Sequence, residues 1–260
     1  MFFILNNRLL WVKNSSMQKL NIGGFMRTPK LLALLVCMAS FNGLASTPVE
    51  VLVPIDHIYS PNGFDSNDNT EVIVEGRLPN LCHKSPWSKV EVKPGKIEIT
   101  VSALKYEDNN PFCVPMEVPF IQPVSVGLLN KGNYDIVVNG KSIYEQKGAI
   151  SIAESQTPAA DDFIYANVAY VEKEEGSRMV KLKGYTPSDC LNWDEVKFVS
   201  NGKDTLAVLP KMKQVYSHCP MKMVPFEKEV EVPKALDRKS VLLHVRVMDG
   251  KSVNTLFDNQ

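Results

Sequence analysis

The sequence predicts an all-β protein made of two copies of one antiparallel β-sandwich, each carrying one disulfide. Three observations predict it. Apolar residues alternate with a period of two. A cysteine-bearing pattern occurs twice. Asn-Gly and Asp-Gly pairs end alternating segments at matching places in the two copies.

The chain opens on a segment that the sandwiches do not need. Arg27 and Lys30 precede an apolar run from Leu31 to Phe41, and small residues Gly43 and Ala45 follow. This is the pattern of a secretory signal, and the run is too short to span a bilayer. Cleavage is expected between Ala45 and Ser46. Cys37 is preceded by Val36, where a lipoprotein signal would carry Gly or Ala, so no lipid anchor is expected. Residues 1–25 contain Trp11 and other apolar residues, unlike the front of a signal; Met26 is read as the start, the alternative being a long n-region. Residues 1–45 are therefore set aside as leader and signal peptide.

The remaining 215 residues hold 24 basic and 29 acidic residues, because the first 45 carry five basic and no acidic ones. A mildly acidic chain without a basic stripe is a poor partner for nucleic acid. No later apolar run is long enough for a membrane span. That length fits two domains of roughly 100 residues.

The strands follow from the alternation. Ile97, Ile99, Val101 and Ala103 form one apolar face, and Tyr134, Ile136 and Val138 another. Val241, Leu243, Val245 and Val247 form a third, with Leu242, His244 and Arg246 on the opposite side, where His244 is expected to meet solvent. Val124/Val126 and Val230/Val232 are shorter cases. No convincing helix follows the signal. Asn139-Gly140 and Asp249-Gly250 are expected to turn the last hairpin of each copy, since type I′ turns need positive φ at both central positions. The Gly-Lys-Ser that each pair opens is not a phosphate loop: the earlier glycine of that motif is replaced by Asp135 and Val245.

The repeat organises the chain. Copy one reads Gly76-x-x-Pro79-x-x-Cys82, then Cys113 and Val118-Pro119-Phe120, then Asn139-Gly140-Lys141-Ser142. Copy two reads Gly184-x-x-Pro187-x-x-Cys190, then Cys219 and Val224-Pro225-Phe226, then Asp249-Gly250-Lys251-Ser252. Offsets of 108, 106 and 110 residues suit duplicated domains with slightly different loops. The polar, small stretch Glu154–Asp162 reads as a linker. The expected domains are 46–153 and 163–260, joined by 154–162.

The duplicated placement makes Cys82–Cys113 and Cys190–Cys219 the economical pairing among three possible ones. Loops of this size stabilise by roughly 3–4 kcal/mol each on a chain-entropy estimate. A zinc site is the rival, because His83 adjoins Cys82 and His218 adjoins Cys219. The absence of any Cys-x-x-Cys, together with secretion, favours disulfides.

Both copies, over about 71–147 and 179–257, resemble the immunoglobulin-like sandwich modules of bacterial secreted proteins. Leu129-x-x-Gly132-x-Tyr134 is similar to the tyrosine corner of such modules. The chain departs from antibody-type domains in its close cysteine spacing, and copy two has no equivalent of Tyr134.

Asp65-Ser66-Asn67-Asp68-Asn69 is the one local motif with ligand chemistry. The oxygens of Asp65, Asn67, Asp68 and Asn69 suit calcium, the single cofactor the sequence offers. The other reading is a solvated turn, which Asp and Asn favour for backbone reasons. Too few carboxylates accompany the motif, so the turn is preferred. Trp87 and Trp193 follow the first cysteine of each copy. They read as packing near the disulfide or, alternatively, as contacts for a sugar or protein. Met212, Met221 and Met223 near Cys219 read as an adaptable contact surface or as soft packing, the second being preferred. Catalytic motifs are missing, and the four histidines are scattered. The expected function is a secreted or periplasmic binding or structural module, not an enzyme, acting on protein or a cell-envelope polymer. The alternatives are a periplasmic chaperone, a protease inhibitor or, behind these, a hydrolase.

Overall fold

The computed structural model describes residues 47–106 and 113–259. The expected signal, with Cys37, lies outside them. The first half contains β1 (Val49–Leu52), β2 (Ile55–Tyr59), β3 (Thr70–Leu78), β4 (His83–Lys93), β5 (Lys96–Lys105), β6 (Val118–Gly127), β7 (Gly132–Val138) and β8 (Gln146–Ile152). The second contains β9 (Ile164–Tyr165), β10 (Val168–Lys173), β11 (Met179–Thr186), β12 (Leu191–Ser200), β13 (Thr205–Gln214), β14 (Val224–Glu231), β15 (Ser240–Val247) and β16 (Lys251–Asp258).

Strand for strand, the halves share one topology. A five-stranded sheet runs β1-β5-β7-β8 with β4 on β5, and its counterpart runs β12-β13-β15-β16 with β9 on β13. A three-stranded sheet runs β2-β3-β6, and its counterpart β10-β11-β14. All pairings are antiparallel except β5 with β7 and β13 with β15. The period-two residues face inward. Ile97, Ile99, Val101, Ile136 and Val138 pack on Val72, Val74 and Val124 in the first core. Leu206, Val208, Val241, Leu243 and Val245 pack on Val180, Leu182 and Val230 in the second. Among the described residues no helix is long and apolar enough to cross a membrane.

The repeated motif has a mechanical cause. At Gly76 an added Cβ would lie 2.5 Å from Pro54 O, and at Gly184 it would lie 2.1 Å from Asn167 O. Those carbonyls accept from the N–H of the next residue, Arg77 at 3.1 Å and Tyr185 at 3.2 Å. Only glycine lets the crossing backbone come so close. Each first cysteine then follows a side-chain turn: Cys82 N donates to Asn80 Oδ1 and Cys190 N to Ser188 Oγ. The disulfides are Cys82–Cys113 and Cys190–Cys219, with Cα separations of 5.0 and 5.6 Å. Tyr134 donates its hydroxyl to Asn130 O at 3.0 Å.

The two hairpins differ. Asp249 and Gly250 both carry positive φ, 61° and 63°, as their sequence predicts. In the first half the positive residues are Asn139 and Lys141, and a longer connection separates β7 from β8. Asn139 is buried and serves the sheet. β1 and β7 share one edge of β5 end to end. In the gap, Asn139 Oδ1 accepts from Val101 N at 2.7 Å and Nδ2 donates to Val53 O at 3.0 Å.

The halves have separate sheets and cores, yet the described residues fall in one compact unit. A third cluster joins them: Tyr59 and Ile73 of the first half meet Leu242 and Leu256 of the second. The outer face of β2-β3 thus lies on the outer face of β15-β16. This corrects the expectation for His244, which is not solvated but 1% exposed inside the seam. The alternation had given β15 one inner face; both faces are in fact covered.

Candidate functional site

The seam gathers the polar chemistry of the molecule. Arg246 on β15 is 4% exposed. Its guanidinium grips both oxygens of Asp68, which is also buried, and Nη1 donates to Gly63 O at 3.0 Å. Nη2 lies 3.3 Å from Asp161 Oδ2. The ring centroids of Phe64 and Tyr165 stand 5.1 and 4.6 Å from Arg246 Cζ, enclosing the cation between two aromatic faces. Burial would lower the affinity of Arg246 for its proton, but Asp68 reverses this and raises it.

The Asp65–Asn69 segment is a turn, closed by Asp68 N donating to Asp65 O at 3.1 Å, but Asp68 is buried rather than solvated and clamps Arg246. Asp68 Oδ2 accepts from Asp65 N at 2.8 Å, and Asp65 Oδ1 from Asn67 N at 3.2 Å. Asn67 Nδ2 donates to Thr157 O and Asp162 Oδ1, both at 3.0 Å. Asn69 Nδ2 donates to Gly250 O at 2.9 Å across the seam. Each of the four residues weighed as a calcium cradle thus has a hydrogen-bonding task. Among the described residues no group of three or more His, Cys, Asp or Glu side chains is placed to hold a metal ion. The linker is tied to the same clamp, since Asp162 accepts from Gln156 N and Thr157 N at 2.7 and 3.0 Å.

These bonds set the charges. Burial, followed by the neighbouring Asp68, pushes the Asp65 carboxyl up to about 6. Burial also raises Asp161. Asp162 is held down at about 2, first by the Gln156 N–H and then by the Thr157 hydroxyl. Farther along the seam, His57 Nε2 lies 2.8 Å from Asp204 Oδ2. Burial alone would raise the Asp204 carboxyl; hydrogen bonds from His57, Asn201 and Thr205 outweigh it and hold it at about 2. Ser252 donates to Glu71 across the seam. Burial depresses His244 to about 4, so its ring is neutral; Nδ1 pairs with Asn254 Oδ1 at 2.8 Å and Nε2 is buried without a partner.

Beside the clamp lies an open groove of about 530 Å³. The first half contributes Asn67, Asn69 and Leu128. The segment around β9 contributes Asp161, Phe163 and Ile164, and the β15-β16 hairpin contributes Met248 and Asp249. Leu128 is 70% exposed, and Phe163 and Ile164 are 38% exposed each.

The other residues singled out from the sequence lie apart. Trp193 is half-buried, set edge-on to Phe226 at 5.2 Å and packed on the second core. Trp87 is half-buried on β4, paired with Ser102. Neither lines the groove. Met212 is core, but Met221 and Met223 are 95% and 68% exposed, unlike the soft packing expected of them. Sequence reasoning missed Arg246, Asp161 and the groove. One signal was present: Leu242 interrupts the polar face of β15 with an apolar residue, opposite the Val241-Leu243-Val245-Val247 face.

Fold and seam together define a two-sandwich protein with a composite groove between its halves. A family model described as the ORF11 beta-sandwich domain matches residues 72–148, which is most of the first copy. No curated protein and no solved structure matches the chain.

Proposed function

We propose that the protein is a non-catalytic binding module of an oxidising compartment, secreted or periplasmic. Its two sandwiches are clamped in one arrangement, and the seam groove receives a protein or a cell-envelope polymer. The observation that carries this reading is the groove's dual origin. Its walls come from both halves, and the buried Arg246–Asp68 pair holds them together. Exposed apolar side chains gathered in a rigid concavity are what binding sites display. Two disulfides favour an oxidising location.

The chaperone reading is weaker. It needs a free basic anchor between domains, and Arg246 is already paired with Asp68 and Asp161. It also needs an open strand edge, and of the three-stranded sheets the edge strands β6 and β14 are interrupted by Pro119 and Pro123 and by Pro225. A hydrolase would need a nucleophile or base beside an acid. The groove's carboxylates are Asp161, already paired with Arg246, and Asp249, which is not hydrogen-bonded to Asp161, so no acid–base pair is assembled among the described residues.

The test is photo-crosslinking in the producing cell, with the photoreactive residue at Phe163 or, as a remote control, at the exposed Ile143. Discrete adducts from position 163 alone are expected. Equal adducts from both positions, or none from 163, would remove the groove from the account. Turnover of an envelope polysaccharide that depends on Asp249 would move the protein to the hydrolases. The exported form should begin at Ser46 by mass; one retaining Met26 would remove the secretory reading.

A further inference from the structure

Resting on that reading, the geometry points to a particular occupant of the seam groove: an extended polypeptide segment that places a Leu-, Met- or Phe-sized side chain next to a Lys or Arg. The apolar half of this specificity comes from Leu128, Phe163, Ile164 and Met248, which offer carbon surface to one large side chain. The charged half comes from what lines the groove and what does not. Asp161 and Asp249 line it, and no Lys or Arg does. The two neighbouring cations are already committed: Asp68 takes both ends of the Arg246 guanidinium, and Lys211, whose Nζ lies 3.6 Å from the Phe163 ring centroid, pairs with Glu195 at 2.8 Å. Asp65 and Asp162 add negative charge behind the Asn67 wall. The carboxylates of Asp65, Asp68, Asp161, Asp162 and Asp249 in and behind the groove wall thus outnumber the two committed cations. The upward displacement of the Asp65 carboxyl, caused first by burial and then by Asp68, is in keeping with that crowding.

Asn67 lines the groove with its Nδ2 engaged by Thr157 O and Asp162. An anionic polymer would bring like charge to Asp161 and Asp249, whereas a polypeptide with basic and apolar neighbours complements both the carboxylates and the carbon surface of the lining.

The experiment is selection from a random peptide library displayed on phage against the full chain, with the Leu128→Arg variant as counter-target. Selected and charge-swapped peptides are then measured by fluorescence anisotropy. Expected sequences carry Lys or Arg within three residues of Leu, Met or Phe. Replacing those basic residues by Glu should abolish binding. Asp249→Asn, which keeps a residue suited to positive φ, should weaken binding roughly fivefold, the size of one rim charge. Raised salt should weaken it further, and Ile143→Arg should change nothing. Peptides that need Leu128 but are neutral or acidic would overturn the charge specificity and leave the groove standing. Failure to enrich any Leu128-dependent peptide, with crosslinks at position 163 going to a polysaccharide, would overturn the polypeptide occupant. Failure of both experiments would remove the groove itself.

Discussion

The two halves share a topology but differ wherever one of them faces the seam. Val138 pairs with Ile99 and Val245 with Val208, so Asn139 and Arg246 hold equivalent places. In the first half that place must serve a free Val101 N–H, and Asn139 does so. In the second half the matching residue is Pro210, which has no N–H. The position is released from sheet duty and carries the clamp. The outer faces differ in the same way. Counting from Gly76 and Gly184, Tyr59 and Ile73 correspond to Glu172 and Lys181. Along the five-stranded sheets, Leu242 corresponds to Asp135. The apolar versions are buried against each other. The charged versions face outward, with Lys181 3.5 Å from Glu229. A duplicated unit stays at two copies when its outward faces are charged, as the terminal units of repeat proteins are.

The comparison breaks first at its equivalent pair. Arg246→Ala leaves Asp68 buried without its cation and should cost about 3–5 kcal/mol, since it strips one partner from a buried ion pair. Asn139→Ala should cost about 1–3 kcal/mol for each buried group it leaves unpaired. Urea unfolding followed by tryptophan emission measures both. A loss well below about 1 kcal/mol at either position would mean that the position does not do the work assigned to it.

The disulfides test likeness where the halves do not differ. Their separations of 31 and 29 residues predict nearly equal losses, about 3–4 kcal/mol, for Cys82→Ala/Cys113→Ala and for Cys190→Ala/Cys219→Ala. A loss confined to one pair would show that one half depends on its bridge and the other on the seam.

Acid should act on the seam through His244, whose equivalent in the first half, Val137, does not titrate. The folded chain holds His244 at about 4 against an ordinary 6.5, so the unfolded chain binds more protons between those values. Its contribution is full above pH 6.5 and is lost as pH falls toward 4, by about 3 kcal/mol in all. Asp65 runs the other way. Its carboxyl is raised from 3.8 to about 6, so its contribution is full below 3.8 and lost as pH rises through 6. Urea midpoints from pH 7 to 4 for the parent and for His244→Leu separate the two. If the substituted chain loses stability over that range as steeply as the parent, the His244 account is wrong.

The smallest expected effect is on assembly. Glu172→Tyr, Lys181→Ile and Asp135→Leu together give the outward faces the residues of the seam. Weak head-to-tail association should follow, with dissociation constants of roughly 10–100 µM, detectable by light scattering. No concentration dependence beyond that of the parent would mean that charge is not what keeps these faces apart.

The strands and the disulfide pairing were legible because each depends on near neighbours in sequence or on a spacing that duplication repeats. Ile97 through Ala103 alternate because one side of β5 is core, and that pattern needs no knowledge of the other half. Gly76 and Gly184 were visible as matching positions; that each avoids the carbonyl of a crossing strand was not.

The seam was decided by tertiary structure alone. Asp68 and Arg246 stand 178 residues apart, and Asn69 and Gly250 stand 181 apart. Nothing local distinguishes an Asp-Asn turn in water from one that grips an arginine, because the residues favoured in turns are also those that accept hydrogen bonds. His244 falls under the same rule. A strand's alternation says which face meets its own core, and only the docking of a second sheet says whether the other face meets water.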